Sequence, residues 1–253
     1  MDPFARLPEG CISEILSFTS ALDASRSSML SKEFKSAAEN NVVWENFLPQ
    51  DYQEIISTAV YPVKYATKKE LYFSLCDSPL LIHGGKMSFS LDKRSGKKCF
   101  MVGARGLLIS WKGCWDFMSH KKSRFVEVAK LRSIGWIHIQ GKINSQMLSK
   151  NTTYAAYIVF WLDRKDGLKS SNTVIRFLKD KSQNNTMKLE HFESRQTGKI
   201  AQLRGDGWLE MEMGKFYNAF GDNIGDIEVW LIEINSPHEK SGLIIEGIEF
   251  RPV

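Results

Sequence analysis

The stretch Trp208-Leu-Glu-Met-Glu-Met213 decides how most of this chain folds. Glu210 and Glu212 alternate with Leu209, Met211 and Met213, a period of two that puts apolar side chains on one face of a strand and carboxylates on the other. Short runs rich in Val, Ile, Phe, Tyr and Trp surround it, separated by Gly, Asn, Asp and Ser. They are MSFSL (87–91), KKCFMV (97–102), LLISW (107–111), WIHIQGKI (136–143), YAAYIVFWL (154–162), TVIRFL (173–178), TMKLEHF (186–192), IEVWLIEI (227–234) and LIIEGIEF (243–250). YIVFWL is apolar throughout and reads as a strand buried on both faces. So many strands without helices between them predict an antiparallel, jelly-roll-like β-sandwich over residues 86–253.

Towards the N-terminus the period changes. Ile12, Ile15 and Leu16, then Ala24, Met29, Leu30, Phe34, Ala37 and Ala38, then Val43, Trp44, Phe47 and Leu48 recur at helical spacing, predicting three short helices within residues 1–48. Pro8 suits a first helical turn, and Asp23 and Asn41 are candidate caps for the second and third helices. Three short helices make a small core that ordinarily needs a partner. Residues 49–85 read as a helical linker. DYQE (51–54) and TKKE (67–70) have capping-box spacing, YPVKY (61–65) ends a helix, and HGG (83–85) marks a turn. The fold class is therefore α+β, with helices first and the sandwich after them.

Composition excludes several function classes. With 253 residues, 43% hydrophobic and 25% charged, the chain can bury an ordinary core. Its net +5 is unevenly spread: residues 1–48 hold four basic and seven acidic side chains, net −3, which leaves +8 for the rest. KRSGKK (93–98) and HKKSR (120–124) concentrate that charge, yet no aromatics are interleaved as in a nucleic-acid stacking site. Cys11, Cys76, Cys99 and Cys114 form no CxxC pair and read as thiols of a reducing compartment, cytoplasm or nucleus. No run reaches the roughly 20 apolar residues of a membrane span. Phosphate-loop, HExxH and GxSxG motifs are absent, and the five histidines are scattered, so neither catalysis nor a metal or cofactor is expected.

WKGCW (111–115) is the most suggestive aromatic cluster. In an extended segment Trp111 and Trp115 would project to the same side about 13 Å apart, whereas a bend at Gly113 would bring them closer. Trp111 is expected to end a core strand with its ring buried, and Trp115 to be partly exposed. Asp226 and Glu233 are seven apart, so on one strand they face opposite ways about 23 Å apart, too far for a glycosidase pair at about 5–10 Å.

Leu7-Pro8, Ile12, Ile15-Leu16, Asp23, LSKEF (30–34) and VVWENFLP (42–49) resemble an F-box. TKKELYFSLCDSPLLI (67–82), LDKRSGKKCFMVGAR (91–105), ISW (109–111), FVEVAKL (125–131), GKI (141–143), DGWLEMEMGKFYN (206–218) and SGLIIEGIEFRPV (241–253) resemble the phloem protein 2 family, whose lectin domain is called Nictaba-like. The resemblance implies that Leu7, Pro8, Ile12, Ile15 and Leu16 dock on a Skp-type adaptor and thereby on a cullin ubiquitin ligase, while the sandwich recognises a protein substrate or a glycan. It also implies that Trp111 and Trp115 take the places of two sugar-stacking tryptophans, with Phe117 as a third aromatic and Asp226 and Glu233 as late acidic positions, the latter two read as solvated or weakly polar-binding. Here the loop between the rings is about three residues shorter than in the family, at up to about 3.5 Å each, and Phe117 stands where Trp is frequent.

Overall fold

The computed structural model describes residues 7–163, 172–179, 201–219, 225–233 and 239–253. The TMKLEHF run (186–192) lies outside them. The chain divides into two compact units, Met1–Leu80 with Phe89–Lys98, and Leu81–Ser88 with Cys99–Val253.

The first unit is helical: α1 (Glu9–Ser17), α2 (Ala21–Ser27), α3 (Lys32–Glu39), α4 (Asn41–Phe47), α5 (Tyr52–Ser57) and α6 (Lys68–Asp77). The stretch read as one second helix is two. Ser31 breaks it, its hydroxyl accepting from the Phe34 amide to cap α3, while Ser20 rather than Asp23 caps α2 and Asn40 rather than Asn41 caps α4. Thr67 caps α6 as its box predicts, accepting from the Glu70 amide. Asp51 makes no side-chain cap, because its carboxylate is held 2.8 Å from the ammonium of Lys98. Trp44 is the hub of this unit. Fully buried, it donates its indole N–H to the Ala38 carbonyl at 2.6 Å and packs against Phe47, Tyr72 and Phe73, so α4 shares one core with α6.

The strands are β1 (Leu80–Ile82), β2 (Met87–Leu91), β3 (Lys98–Gly103), β4 (Leu108–Ile109), β5 (Trp115–Met118), β6 (Val128–Leu131), β7 (Ile137–Asn144), β8 (Thr152–Leu162), β9 (Asn172–Lys179), β10 (Gln202–Leu203), β11 (Leu209–Asn218), β12 (Gly225–Glu233) and β13 (Leu243–Pro252). One sheet runs β1-β2-β3-β13-β8-β11-β10, with β6 also on β13 and β5 on β6; the other runs β4-β7-β12-β9. Directly paired residues share a face. Ile158, Ala156 and Tyr154 of β8 therefore line the inner side with Ile248, Phe250 and Phe216, opposite Ile139, Ile143, Val229 and Leu231 of the smaller sheet, and all are buried. The sheets meet closely at Gly141, where an added Cβ would lie 2.9 Å from Ile248.

LEMEM opens β11, and its alternation holds as far as Glu212: Leu209 and Met211 pair with Phe160 and Ile158 on the inner side, Glu210 and Glu212 with Val159 and Tyr157 on the outer, before a register shift between Glu212 and Gly214 interrupts it at Met213. The outer face is not open to water, however. Trp208, Phe125, Met101, Val128, Val159 and Ile244 form a second buried cluster on it. Beside the cluster, Glu210 and Glu249 share three arginines. Arg251 grips Glu210 at 2.6 and 2.7 Å, Arg204 bridges Glu210 at 2.8 Å and Glu249 at 2.6 Å, and Arg124 stands 3.6 Å from Glu249.

Candidate functional site

The loop after β4 bears the aromatic pair, and it reverses the expected burial. Trp111 is 63% exposed and Trp115 only 5%. Trp111 has φ +58°, a left-handed conformation that bulky residues rarely adopt, and a 3-10 turn over Lys112–Cys114 follows it. That turn closes through the Cys114 amide on the Trp111 carbonyl at 2.8 Å, so the segment is not extended and only Trp111 presents an exposed ring. Arg132 holds the turn from below: its amide donates to Cys114 O and its guanidinium to Gly113 O. Trp115 instead opens β5, in register with Leu131, and its indole N–H is buried without a partner among the described residues. Phe117, two further along the same strand, is half-buried beneath the Arg105 guanidinium, 3.8 Å from the ring centre.

Asp226 and Glu233 do face opposite ways. Asp226 pairs with Asn144 on the outer side and forms a 2.6 Å ion pair with Lys142, whose ammonium it holds above its ordinary range. Glu233 pairs with Ile137 and is 2% exposed, so it is a core-facing side chain rather than a solvated one.

In the helical unit Ile12 and Leu16 are buried, which corrects their placement on an exposed edge; Leu7 is half-buried, and Pro8 and Ile15 are exposed. Ile12, Ile15 and Leu16 stand at i, i+3 and i+4 on one stripe of α1, and Ile15 lies at its edge, where it stays 47% exposed while the other two face the core. Exposed apolar side chains around α1 to α3 include Ile15, Phe18, Leu22, Met29 and Leu30, with Phe18 at 83% and Met29 at 80%; Val42, Val60, Tyr61 and Tyr65 further along the unit are exposed as well. Sequence reading places only Ile15 of the first five at an exposed edge; Phe18 follows α1 and Leu22 lies in α2, so no single-helix stripe marks them.

The basic runs are largely engaged internally. Lys93 and Lys98 pair with Asp77 and Asp51, Lys122 lies 5.0 Å from the Trp161 ring centre, and Arg124 is turned to Glu246 and Glu249. No group of His, Cys, Asp or Glu among the described residues is arranged to hold a metal, and no described helix is long and apolar enough to cross a membrane.

Comparison with known proteins settles the family. The phloem protein 2 pattern matches residues 97–252 and the F-box domain pattern residues 4–46. The chain belongs to the phloem protein 2 family, with an F-box ahead of the family domain. Putative F-box protein PP2-B12 of Arabidopsis thaliana is 40% identical over 98% of this chain and 98% of its own length. F-box protein SKIP3 of the same plant is 40% identical over 97% of this chain and 87% of its own. Among solved structures, a CBM22-1 xylan-binding domain from Paenibacillus barcinonensis Xyn10C covers 60% of this chain and 85% of its own at 9% identity, TM-score 0.31. Both matched domains of this phloem protein 2 member are of adaptor and receptor type.

Proposed function

We propose that the chain is a non-catalytic substrate-recognition subunit of a Skp-cullin-F-box type ubiquitin ligase. The F-box helices dock on a Skp-type adaptor, and through it on a cullin, while the sandwich binds the target protein. The observation that carries this reading is the group of exposed apolar side chains Ile15, Phe18, Leu22, Met29 and Leu30 on a small helical unit. Such a subunit works in the cytoplasm or nucleus, where cysteines without a disulfide are the ordinary state.

Capture on an immobilised Skp-type adaptor tests it. Because Phe18 and Leu22 are exposed, Phe18→Asp/Leu22→Asp should leave the helical fold intact by circular dichroism and weaken capture by about 30-fold, as expected for central apolar anchors of an interface. Equal recovery of wild type and variant would refute the docking role.

A second reading, a glycan-binding lectin without a ligase role, is favoured by Trp111. A large ring held exposed on left-handed backbone is costly, and such strain collects at binding sites. An array of N-acetylglucosamine oligomers and high-mannose glycans should light up with wild type and lose at least about tenfold in signal with Trp111→Ala, the scale of one stacked ring. Silence across the array removes the lectin reading and leaves adaptor capture untouched.

A further inference from the structure

The basic run KRSGKK (93–98) carries an exposed serine, Ser95. β2 and β3 are neighbours in the larger sheet, and residues 92–97 connect them. The Asp92 amide donates to the Lys97 carbonyl at 2.8 Å and the Gly96 amide to the Asp92 carbonyl at 2.8 Å. The connection is therefore a closed turn, and Gly96 supplies its left-handed residue at φ +66°. Lys93, Arg94 and Ser95 stand exposed at the tip.

Positive charge flanks this hydroxyl on both sides. Within residues 92–97 the bases Lys93, Arg94 and Lys97 face one acid, Asp92, so the turn carries 3 − 1 = +2. Lys93 is drawn to Asp77 on α6 at 3.0 Å, whereas Arg94 and Lys97 form no ion pair among the described residues. The second basic run, HKKSR (120–124), also holds a serine, but it is not equivalent. Ser123 is half-buried and donates its hydroxyl to the buried Glu246 carboxylate at 3.1 Å. Of the two, only Ser95 is open to an enzyme.

The same hydroxyl holds the turn together. Ser95 Oγ donates to Asp92 Oδ2 at 2.6 Å, and that carboxylate oxygen also accepts the Ser95 amide at 2.8 Å. Gly96 lies against α6, where an added Cβ would stand 3.1 Å from the Tyr72 hydroxyl. A phosphate on Ser95 removes the O–H donor and sets a charge of about −2 beside the Asp92 carboxylate, a like-charge contact that breaks the turn. Its acceptor oxygens suit the unpaired Arg94 and Lys97. The charge of the turn falls from +2 to about zero.

We infer that Ser95 is a phosphorylation site for a basophilic serine kinase, and that the phosphate opens the turn between β2 and β3. In the transfer, Ser95 Oγ forms a bond to the γ-phosphorus of ATP while the bond from that phosphorus to the oxygen bridging it to the β-phosphate breaks. ADP leaves, and the hydroxyl proton passes to the base of the kinase. Lys93, Arg94 and Lys97 are the charges that an acidic kinase cleft reads. The bridge from Lys93 to Asp77 is exposed at both ends and weak enough to yield. This inference goes beyond the ligase and lectin readings and depends on neither.

The test is incubation of the full chain with ATP and the catalytic domain of a protein kinase C type enzyme, which accepts serines with bases on both sides, followed by fragment mass spectrometry. Phosphate should appear on Ser95. Ser95→Ala should acquire none in residues 91–98, and Arg94→Ala/Lys97→Ala, which keeps the hydroxyl and the backbone bonds of the turn, should be modified about tenfold more slowly. Ser95 left unmodified in wild type overturns the assignment, as does modification of Arg94→Ala/Lys97→Ala at the wild-type rate. Hydrogen exchange reads the consequence: the Asp92 and Gly96 amides should exchange about tenfold faster in the phosphorylated protein, as for a lost hydrogen bond, and phosphatase treatment should reverse the change. Equal protection before and after modification overturns the opening of the turn.

Discussion

Glu249→Ala is expected to lower the stability of the sandwich by about 3–5 kcal/mol, the cost of removing one partner from a buried ionic network. Its carboxylate is buried on β13 and shared by Arg204 at 2.6 Å, Arg251 at 3.2 Å and Arg124 at 3.6 Å. Deleting it leaves Arg251 on Glu210 alone, Arg204 on Glu210 and Asp206, and Arg124 on Glu246 at 3.9 Å, with three guanidinium groups short of one carboxylate. Burial alone would push the Glu249 carboxyl up, but Arg204, Arg124 and Arg251 together outweigh it and hold it below the ordinary carboxylate range. Because the folded-state value is the lower one, this stability is fully present above the unfolded-state value and is lost as pH falls through the folded one. Glu246, three residues earlier, works in the opposite sense. Burial raises its carboxyl against the Arg124 amide and the Ser123 hydroxyl, so its folded form takes up a proton more readily and its contribution improves on acidification. Amide hydrogen exchange on β8 and β13, followed from neutral pH down past the carboxylate range, isolates the sandwich from the helical unit. Wild type should lose protection on acidification and Glu249→Ala should start lower and change less. Protection at neutral pH equal to wild type would refute the network's role.

Trp208→Ala should cost a similar amount, about 3–5 kcal/mol, as a large aromatic removed from a closed site. The indole is fully buried, donates its N–H to the Lys122 carbonyl at 3.1 Å, and lies 4.8 Å from the His120 ring and 6.4 Å from that of Trp161. It therefore pins the HKKSR segment onto the outer face of the large sheet. Limited trypsinolysis reads this directly: Trp208→Ala should expose Lys121 and Lys122 to rapid cleavage, while Trp208→Phe, which keeps a ring and loses the N–H, should fall between the variant and wild type. An unchanged cleavage pattern would mean that the segment is held by other contacts, such as the bonds from Ser123 and Arg124 to Glu246.

The loop around Trp111 and Trp115 shows where reading the chain by itself fails. Spacing four apart is compatible with an extended platform or a bend, and choosing between them requires knowing that Arg132, distant in sequence, donates to both Cys114 O and Gly113 O. The resulting turn sends Trp111 outward and starts β5 at Trp115, whose burial follows from pairing with Leu131. The F-box positions fail differently. Ile12, Ile15 and Leu16 share one stripe at i, i+3 and i+4, and periodicity does not say how much of its edge the packing covers: Ile12 and Leu16 are buried, whereas Ile15, with Phe18 and Leu22 beyond it, is exposed.

What the sequence determined by itself is the order and kind of elements. Period-two runs became β2, β3, β7, β8, β9, β11, β12 and β13, and helical spacing marked the N-terminal unit, because side-chain periodicity is a local property of the backbone. The family positions of the chain were legible for the same reason, as ordered segments of residues. Only the tertiary structure decided which faces stay wet. Glu210 alternates as a solvent-facing acid should, but long-range packing lays Trp208, Phe125 and three arginines over its side of the sheet. Burial of a face depends on what the rest of the chain places upon it, and period-two alternation carries no record of that.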